Sequence, residues 1–307
     1  MQKDFLSTQN LSKEMILYIL ERAKHYKKLG KNIDKHENIL AGRSVVSAFF
    51  ENSTRTRMSF ELAAKRLGAD VLSLSPSISS TNKGESLLDT IKNLSAMQNA
   101  FFIIRHSSSG AAAYVAKNTS AHVLNAGDGC NEHPSQALLD IFTILEHLDS
   151  PDFKDLSALK GAKVSIIGDI FHSRVARSNI YALQALGADI TLFGPPQCLR
   201  HASVFNCRVA KNLKEAISGA DAIIMLRIQL ERSKDEVALP AEYPKYFGLN
   251  ENALKDAKKD VLILHPGPVN RGIEMSSAVL DNHSQVYEQV ENGVAVRMAI
   301  MSALANA

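Results

Sequence analysis

Short apolar runs alternate with helical segments along this chain, and the alternation limits the folds that it can adopt. The runs are rich in β-branched and aromatic residues, which is typical of buried strands. They lie at Val45–Phe50, Val71–Leu74, Phe101–Ile104, Val164–Ile167, Ile190–Phe193, Ala222–Leu226 and Val261–Leu264. Strands that alternate with helices predict parallel sheets covered by helices on both faces.

A polar segment divides the chain near its middle. Turn-forming residues lie at Asp149–Asp152, and Lys160–Gly161 precede the next strand. The chain has 307 residues, which is enough for two domains of ordinary size. We therefore predict an α/β protein with two domains, residues 1–148 and 149–287, each with a parallel sheet and helices on both faces. A final helix, residues 288–307, is expected to pack back on the first domain, although its pattern would also suit the second.

Composition excludes several classes of partner. The net charge is only +3, too small for a protein that binds nucleic acid or a membrane surface through bulk charge. No apolar stretch reaches the 18 residues of a membrane span, and the N-terminal residues show no signal-peptide core. Cys130, Cys198 and Cys207 form no CxxC pair, so reduced thiols are expected. A soluble, cytoplasmic protein is the expectation.

Hydroxyl and arginine side chains cluster in the stretch "FFENSTRTRMSF", which begins at Phe49. The cluster lies between a predicted strand and an amphipathic helix and consists of Ser53, Thr54, Arg55, Thr56 and Arg57. A helix N-terminus offers unpaired backbone N–H groups and a positive dipole end, and an arginine can hold a phosphate with two hydrogen bonds. Helix capping would explain one hydroxyl but not three, so an anion site is favoured. The chain has neither a GxxxxGK[ST] loop nor a GxGxxG fingerprint, which argues against a dinucleotide-dependent dehydrogenase.

Further polar residues follow predicted strands or begin predicted helices. His133 stands directly before Pro134, a residue favoured at the first helical position, and Gln136 follows three residues later. Arg105, Arg174 and Arg227 each come after a strand, where α/β sheets hold their ligands. Arginines after separate strands suit a dicarboxylate, while structural salt bridges are the alternative. The histidines show no metal-binding spacing such as HExxH, so no metal is expected.

The order of these motifs resembles the aspartate and ornithine carbamoyltransferases. The resemblance covers about 220 residues and rests on "STRTR", "IIRHSSSG", "LNAGDGCNEHPSQALLD", "GDIFHSRVARS", "MLRIQLER" and "LHPGPVNRG". It implies transfer of a carbamoyl group from carbamoyl phosphate to an amine by direct attack, with no cofactor. A non-catalytic anion-binding chain of the same fold is the alternative, but none of the polar residues that the family uses is missing.

The resemblance also implies a role for each residue. Carbamoyl phosphate would be bound by Ser53, Thr54, Arg55, Thr56, Arg105, His133 and Gln136, and by backbone carbonyls at Gly267 and Pro268. Of these, Arg55, Thr56, Arg105 and His133 would be catalytic. Many family members have Leu where this chain has Gly267, but a backbone contact should survive that difference. Glu51 would pair with Arg174 and Arg232 when the domains close.

The second substrate is expected to be aspartate. Ornithine enzymes of the family have an "SMG" loop and an "HCLP" turn, whereas this chain has Arg227-Ile228-Gln229 and "HPGP". By resemblance, Arg174 binds the α-carboxylate, and Arg227 with Gln229 binds the β-carboxylate. With Lys83, these cations favour a dicarboxylate over a cationic amine. The product would be N-carbamoyl-L-aspartate, formed early in pyrimidine biosynthesis.

Lys83 lies in the polar loop "SPSISSTNKGESLLDT". In the aspartate enzymes a matching lysine enters a neighbouring subunit's active site, which implies a homotrimer with shared sites. A serine four residues earlier accompanies it in the family, and either Ser79 or Ser80 fits. Whether a regulatory chain or a dihydroorotase also binds is left open by the sequence.

Overall fold

The computed structural model describes residues 3–30, 37–74, 85–148, 153–228 and 242–306. Its internal contacts divide the chain into two compact units. Unit 1 comprises Met1–Leu139 together with Val290–Ala307, and unit 2 comprises Asp140–Gln289.

A four-stranded parallel sheet forms the centre of unit 1. Its strands are β1 (Ser44–Phe49), β2 (Asp70–Leu74), β3 (Phe101–His106) and β4 (His122–Asp128), in the order β2-β1-β3-β4. The helices in this part of the chain are α1 (Lys13–Gly30), α2 (Thr54–Arg66), α3 (Leu87–Ser95), α4 (Ala111–Ala116) and the first residues of α5 (Pro134–Leu148). Apolar side chains of β1 and β3 are almost fully buried, as parallel strands require.

Unit 2 contains a five-stranded parallel sheet. Its strands are β5 (Lys163–Ile167), β6 (Asp189–Phe193), β7 (Arg208–Val209), β8 (Ala222–Met225) and β9 (Leu262–Leu264), in the order β7-β6-β5-β8-β9. The α-helices are α6 (Arg174–Leu186), α7 (Leu213–Ile217), α8 (Tyr243–Tyr246), α9 (Ser277–His283) and the start of α10 (Val286–Ala305). Two parallel sheets with interleaved helices confirm the predicted two-domain α/β class.

All seven predicted strands are present, each within two residues of its expected bounds, but the described residues contain two further strands that were not predicted. Strand β4 was not predicted because Asn125 and Asp128 interrupt its apolar run. Both are buried, and the Asn125 side-chain amide donates to the backbone oxygen of Leu6 at 3.0 Å and to Asp128 at 2.8 Å. Strand β7 has only two residues, too few for a periodic pattern.

Candidate active site

The hydroxyl and arginine cluster occupies the N-terminus of α2. The helix begins at Thr54, several residues earlier than its apolar pattern suggested, so the cluster forms its first turn. Ser53 is the N-cap residue, but its side chain accepts no capping hydrogen bond. The hydrogen bond from Arg57 N to Ser53 O, at 3.2 Å, lies at the start of the helix, where helices present backbone N–H groups to a bound group. Capping therefore does not account for the Ser53 hydroxyl, and the position at a helix N-terminus is one that favours anions.

Arg105 lies at the carboxyl end of β3, beside β1. The pairing of β3 with β4 shifts between Ile104 and His106, and such irregularities commonly redirect a side chain near functional sites. The Arg105 guanidinium donates to Ala126 O at 3.0 Å and to Oε1 of Glu51 at 3.2 Å. Because β1 and β3 are neighbours, Arg105 and the first turn of α2 lie at the same edge of the sheet. This edge of unit 1 brings together the side chains expected to bind a phosphate.

His133 ends the loop that leaves β4 and directly precedes α5. Both ring nitrogens are buried, and the residue is only 4% exposed. Its backbone oxygen accepts from Gln136 N at 2.9 Å, so Gln136 lies within the first turn of the helix, as its spacing predicted. Since β4 lies next to β3, His133 follows the strand adjacent to that of Arg105. Unit 1 thus carries all of the expected carbamoyl-phosphate side chains.

In unit 2, Arg174 is the first residue of α6, which follows β5. The connecting loop is ordered by Asp169, whose carboxylate accepts from His172 N at 3.1 Å and lies 3.0 Å from His172 Nδ1. Arg174 is 5% exposed. Glycine is required at position 168, where φ is +130° and a Cβ atom would lie 3.0 Å from Cβ of Leu226. This close approach lets the chain after β5 pass beside the chain after β8.

Arg227 lies just beyond β8, which pairs with β5, so the two expected aspartate-binding arginines follow adjacent strands. The segment after β8 is held by the buried carboxyl group of Glu274. It accepts from Ile228 N at 2.9 Å, from Asn270 N at 2.7 Å and from the Asn270 side chain at 2.7 Å. Burial raises the pKa of Glu274, although these three hydrogen bonds partly oppose the shift.

The third expected group in unit 2 is the backbone at Gly267 and Pro268, in the loop that follows β9. Strand β9 pairs with β8, so this loop leaves the same edge of the sheet as Arg227. Gly267 N donates to Nδ1 of the buried His265 at 2.7 Å, which fixes the loop at its base. Glu274 then joins this loop, through Asn270, to the segment of Arg227.

Five of the residues expected at the site lie outside the described part of the chain, namely Lys83, Ser79, Ser80, Gln229 and Arg232. Within the described ranges, no three or more His, Cys, Asp and Glu side chains group closely enough to hold a metal ion. Over the same ranges, no helix is both long and apolar enough to cross a membrane.

Sequence reasoning missed the buried acids that support the loops. Asp128, Glu132, Asp169 and Glu274 are all at most 2% exposed. A usable signal was present for Asp169, which follows Gly168 at the end of the predicted apolar strand Val164–Ile167. Acidic side chains at such positions commonly accept backbone N–H groups in the following turn.

Models of two protein domains match this chain. The model of the aspartate/ornithine carbamoyltransferase carbamoyl-P binding domain matches residues 3–146, and the model of the Asp/Orn binding domain matches residues 160–304. The chain is also similar to the aspartate carbamoyltransferase catalytic subunit of Campylobacter fetus subsp. fetus. The two are 58% identical over 307 residues, which cover 99% of this chain and 96% of the relative.

Solved structures of both enzyme types share the fold. Aspartate transcarbamoylase from Trypanosoma cruzi, in complex with carbamoyl phosphate and aspartate, is 28% identical with a TM-score of 0.83, covering 98% of this chain and 96% of that one. Ornithine carbamoyltransferase from Pyrococcus furiosus is 29% identical with a TM-score of 0.82, covering 97% and 95%. Backbone similarity therefore does not separate the two substrates. The two domain matches and the full-length identity nevertheless agree, and the chain belongs to the aspartate/ornithine carbamoyltransferase family.

Proposed function

We propose that this chain is an aspartate carbamoyltransferase. It transfers the carbamoyl group from carbamoyl phosphate to the amino group of L-aspartate, giving N-carbamoyl-L-aspartate and phosphate, an early step of pyrimidine biosynthesis. The observation that carries the proposal is the 58% identity, over 99% of this chain, to an aspartate carbamoyltransferase catalytic subunit. The geometry supports it because the cationic and hydroxyl side chains of unit 1 share one sheet edge.

Carbamoyl phosphate binds at the first turn of α2. Arg55 and Arg105 hold the phosphate, and the hydroxyls of Ser53, Thr54 and Thr56 add donors beside the N–H groups of the helix. The helices that begin at the proposed substrate-binding residues, α2, α5 and α6, have no acidic residue in their first turns. Their positive ends are therefore not neutralised from within the helix. Gln136 and the backbone oxygens of Gly267 and Pro268 bind the carbamoyl amide.

The reaction is a direct attack of the neutral aspartate amine on the carbonyl carbon. As the new N–C bond forms, negative charge develops on the carbonyl oxygen, and Thr56, Arg105 and His133 stabilise it. The C–O bond to phosphate then breaks, the departing phosphate takes up the proton that the amine nitrogen loses, and Arg55 with Arg105 stabilises this phosphate. No covalent enzyme intermediate is needed, and holding two anions together supplies much of the rate gain.

Aspartate binds through residues of unit 2 together with Lys83. Arg174 binds the α-carboxylate, and Arg227 with Gln229 binds the β-carboxylate. In support, the two arginines follow adjacent strands, and the loops that present them are held by Asp169 and Glu274. Domain closure over the substrates pairs Glu51 with Arg174 and Arg232.

The working unit is proposed to be a homotrimer whose neighbouring chains share active sites through Lys83. In support, unit 1 exposes apolar side chains on α2 and on β2, and β2 precedes Lys83 along the chain. Met58 and Leu62 on α2 are 61% and 41% exposed, and Leu72 on the edge strand β2 is 46% exposed. A hydrogen bond of 2.8 Å from Ser73 to Glu61 joins that strand to the helix. A second copy of the chain would cover such a surface.

A cytoplasmic location is proposed for the enzyme. All three cysteines lie in the described part of the chain and are present as thiols. Burial and the nearby Asp169 carboxylate raise the pKa of the Cys198 thiol to about 12, which suppresses its reactivity. Thiols of this kind are typical of a reducing compartment.

The deciding experiment supplies the purified chain with carbamoyl phosphate and either L-aspartate or L-ornithine, and measures both the carbamoylated amino acid and phosphate. We expect N-carbamoyl-L-aspartate and phosphate in equal amounts, with no citrulline. Citrulline alone would show that the amine substrate is wrong. No product with either amine, from a folded chain that binds phosphate, would favour the non-catalytic alternative.

A further inference from the structure

The N-terminal segment of the chain lies along strand β4. Phe5 N donates to Val123 O at 2.8 Å, and Asn125 N donates to Phe5 O at 2.9 Å, so Phe5 pairs with the strand in parallel. The Asp4 side chain accepts from Val123 N at 2.8 Å. The segment is thus fixed beside the strand that leads to His133.

Beyond Phe5, the same segment reaches the carboxyl group of Glu132. Thr8 donates to its Oε2 through the backbone N–H at 2.8 Å and through the side-chain hydroxyl at 2.7 Å. The hydroxyl of Ser7 donates to Oε1. Thr8 is fully buried and Glu132 is 2% exposed. A buried carboxyl group that accepts three hydrogen bonds holds its partners firmly, because breaking any of them leaves a desolvated polar group.

The backbone of Glu132 is fixed as well. Glu132 N donates to Oδ1 of Asp128 at 3.1 Å, and Asp128 N donates to Glu132 O at 3.2 Å, which closes the loop between them. Asp128 also accepts from Gly110 N at 2.7 Å and from Asn125 Nδ2 at 2.8 Å. Glu132 is therefore held at its side chain by the N-terminal segment and at its backbone by the end of β4.

The next residue is His133, whose backbone oxygen accepts from Gln136 N at the start of α5. A rotation of the backbone at Glu132 would turn the imidazole away from its present direction. We infer that Glu132, anchored by Thr8 and Ser7, is a positioning residue that aims His133 at the carbonyl oxygen of the substrate. The inference rests on the proposed function, in which His133 stabilises the developing oxyanion. It adds a contribution to catalysis from residues near the N-terminus that do not touch substrate.

The geometry distinguishes between substitutions at this carboxyl group. In Glu132→Gln, the amide oxygen can accept from Thr8, while the amide NH₂ can donate to the Ser7 hydroxyl, which is able to turn and accept. Glu132→Ala removes the carboxyl oxygens that accept from Thr8 N, from the Thr8 hydroxyl and from the Ser7 hydroxyl. Thr8→Val keeps the β-branched shape and the backbone donor and removes one hydroxyl. We expect Gln to preserve most of the activity, Val to lose some and Ala to lose the most.

The test is a double-mutant cycle with His133→Ala, in which kcat and the carbamoyl-phosphate dissociation constant are measured for each variant. In the chain with native His133, we expect kcat to fall about fivefold for Thr8→Val and about 50-fold for Glu132→Ala, with the dissociation constant changing about twofold or less. In the His133→Ala chain, the same substitutions should change kcat by less than about twofold, because the group that they aim is gone. Lys3→Ala is the matched control, since the Lys3 side chain donates to Thr119 O at the exposed end of the same segment, away from Glu132 in the sequence of contacts.

Equal losses of kcat with and without the imidazole would overturn the inference, as would unchanged kcat in Thr8→Val and Glu132→Ala. Should Glu132→Ala fail to fold, the kcat values of Thr8→Val and Glu132→Gln decide. We expect the larger loss in Thr8→Val, because only this variant removes a hydrogen bond between Thr8 and Glu132. Failure of the proposed function would be separate, since the unmodified chain would then form no N-carbamoyl-L-aspartate.

Discussion

Nη2 of Arg105 lies 3.2 Å from Oε1 of Glu51, and both residues are at the carboxyl edge of the sheet in unit 1. Their side chains are 12% and 20% exposed, so the pair is only partly screened by solvent. A carboxylate beside a proposed phosphate-binding arginine lowers the local positive charge. Removing the charge of Glu51 should therefore strengthen phosphate binding, whereas turnover should fall.

Replacing Glu51 by Gln should strengthen inhibition by inorganic phosphate about threefold, because a nearby negative charge is removed. The same change should lower kcat about tenfold, because the proposed closure contacts of Glu51 with Arg174 and Arg232 weaken. Steady-state kinetics with phosphate as inhibitor measure both effects. Glu61→Gln is the control, since Glu61 lies on α2, 4.0 Å from Arg57, whereas Glu51 pairs with Arg105. Weaker phosphate inhibition in Glu51→Gln would contradict the electrostatic interpretation.

Arg55→Ala should lower kcat/KM by on the order of 100-fold or more, about 3 kcal/mol, since a charged contact to phosphate is lost. Arg57→Ala is a matched control two residues away. Its Nε lies 4.0 Å from Oε1 of Glu61 and its side chain is 37% exposed, so activity should stay near normal. The anion site at α2 would be refuted by near-normal kcat/KM in Arg55→Ala.

His133→Ala should lower kcat more than it weakens carbamoyl-phosphate binding, because polarisation of the carbonyl matters most as the oxyanion forms. Turnover and the equilibrium dissociation constant are measured separately. His283→Ala, at an exposed position on α9, serves as the control. If only the dissociation constant changed, His133 would be a ground-state binding residue.

Mixing two inactive variants, Lys83→Ala and Arg55→Ala, should restore partial activity once subunits exchange. A mixed trimer would contain a site with native Lys83 from one chain and native Arg55 from its neighbour. Each variant incubated alone under the same conditions is the control. Mass spectrometry shows whether mixed trimers have formed. If they have formed and activity is still absent, the hypothesis of shared sites is contradicted.

Stability should depend on pH through His106. Burial lowers the pKa of His106, while the carboxylates of Glu51 and Asp128 oppose the shift, and its Nδ1 accepts from Ser108 N at 2.9 Å. Below an unfolded-state pKa near 6.5, the unfolded chain takes up a proton that the folded chain resists, so stability falls as pH falls.

The urea midpoint should therefore decrease between about pH 7 and pH 5, a window above the ordinary carboxyl pKa values. His106→Asn offers an oxygen for the same N–H but does not titrate, so its midpoint should decrease less over that window. Identical pH dependence in the two proteins would exclude His106 as the cause.

The sequence determined the fold class and most of the proposed site residues. Seven apolar runs specify parallel strands because their alternation with helices leaves few other arrangements. The residues at strand ends, among them Arg105, Arg174 and Arg227, were identifiable because parallel strands direct their carboxyl ends to one edge. The sequence motifs also indicated the role of each residue. Backbone similarity could not do so, because it does not distinguish aspartate enzymes from ornithine enzymes.

The tertiary structure decided which acids are buried and what they hold. Strand β4 carries Asn125 and Asp128, polar residues that look like loop composition until the fold supplies their partners. The same is true of Glu132, whose partner Thr8 lies 124 residues away along the chain. A buried carboxyl group is stable only when distant donors converge on it, and no local pattern shows that convergence. Periodicity, spacing and resemblance thus determined the elements and the chemistry, while the hydrogen bonds that fix the loops depend on residues that only folding brings together.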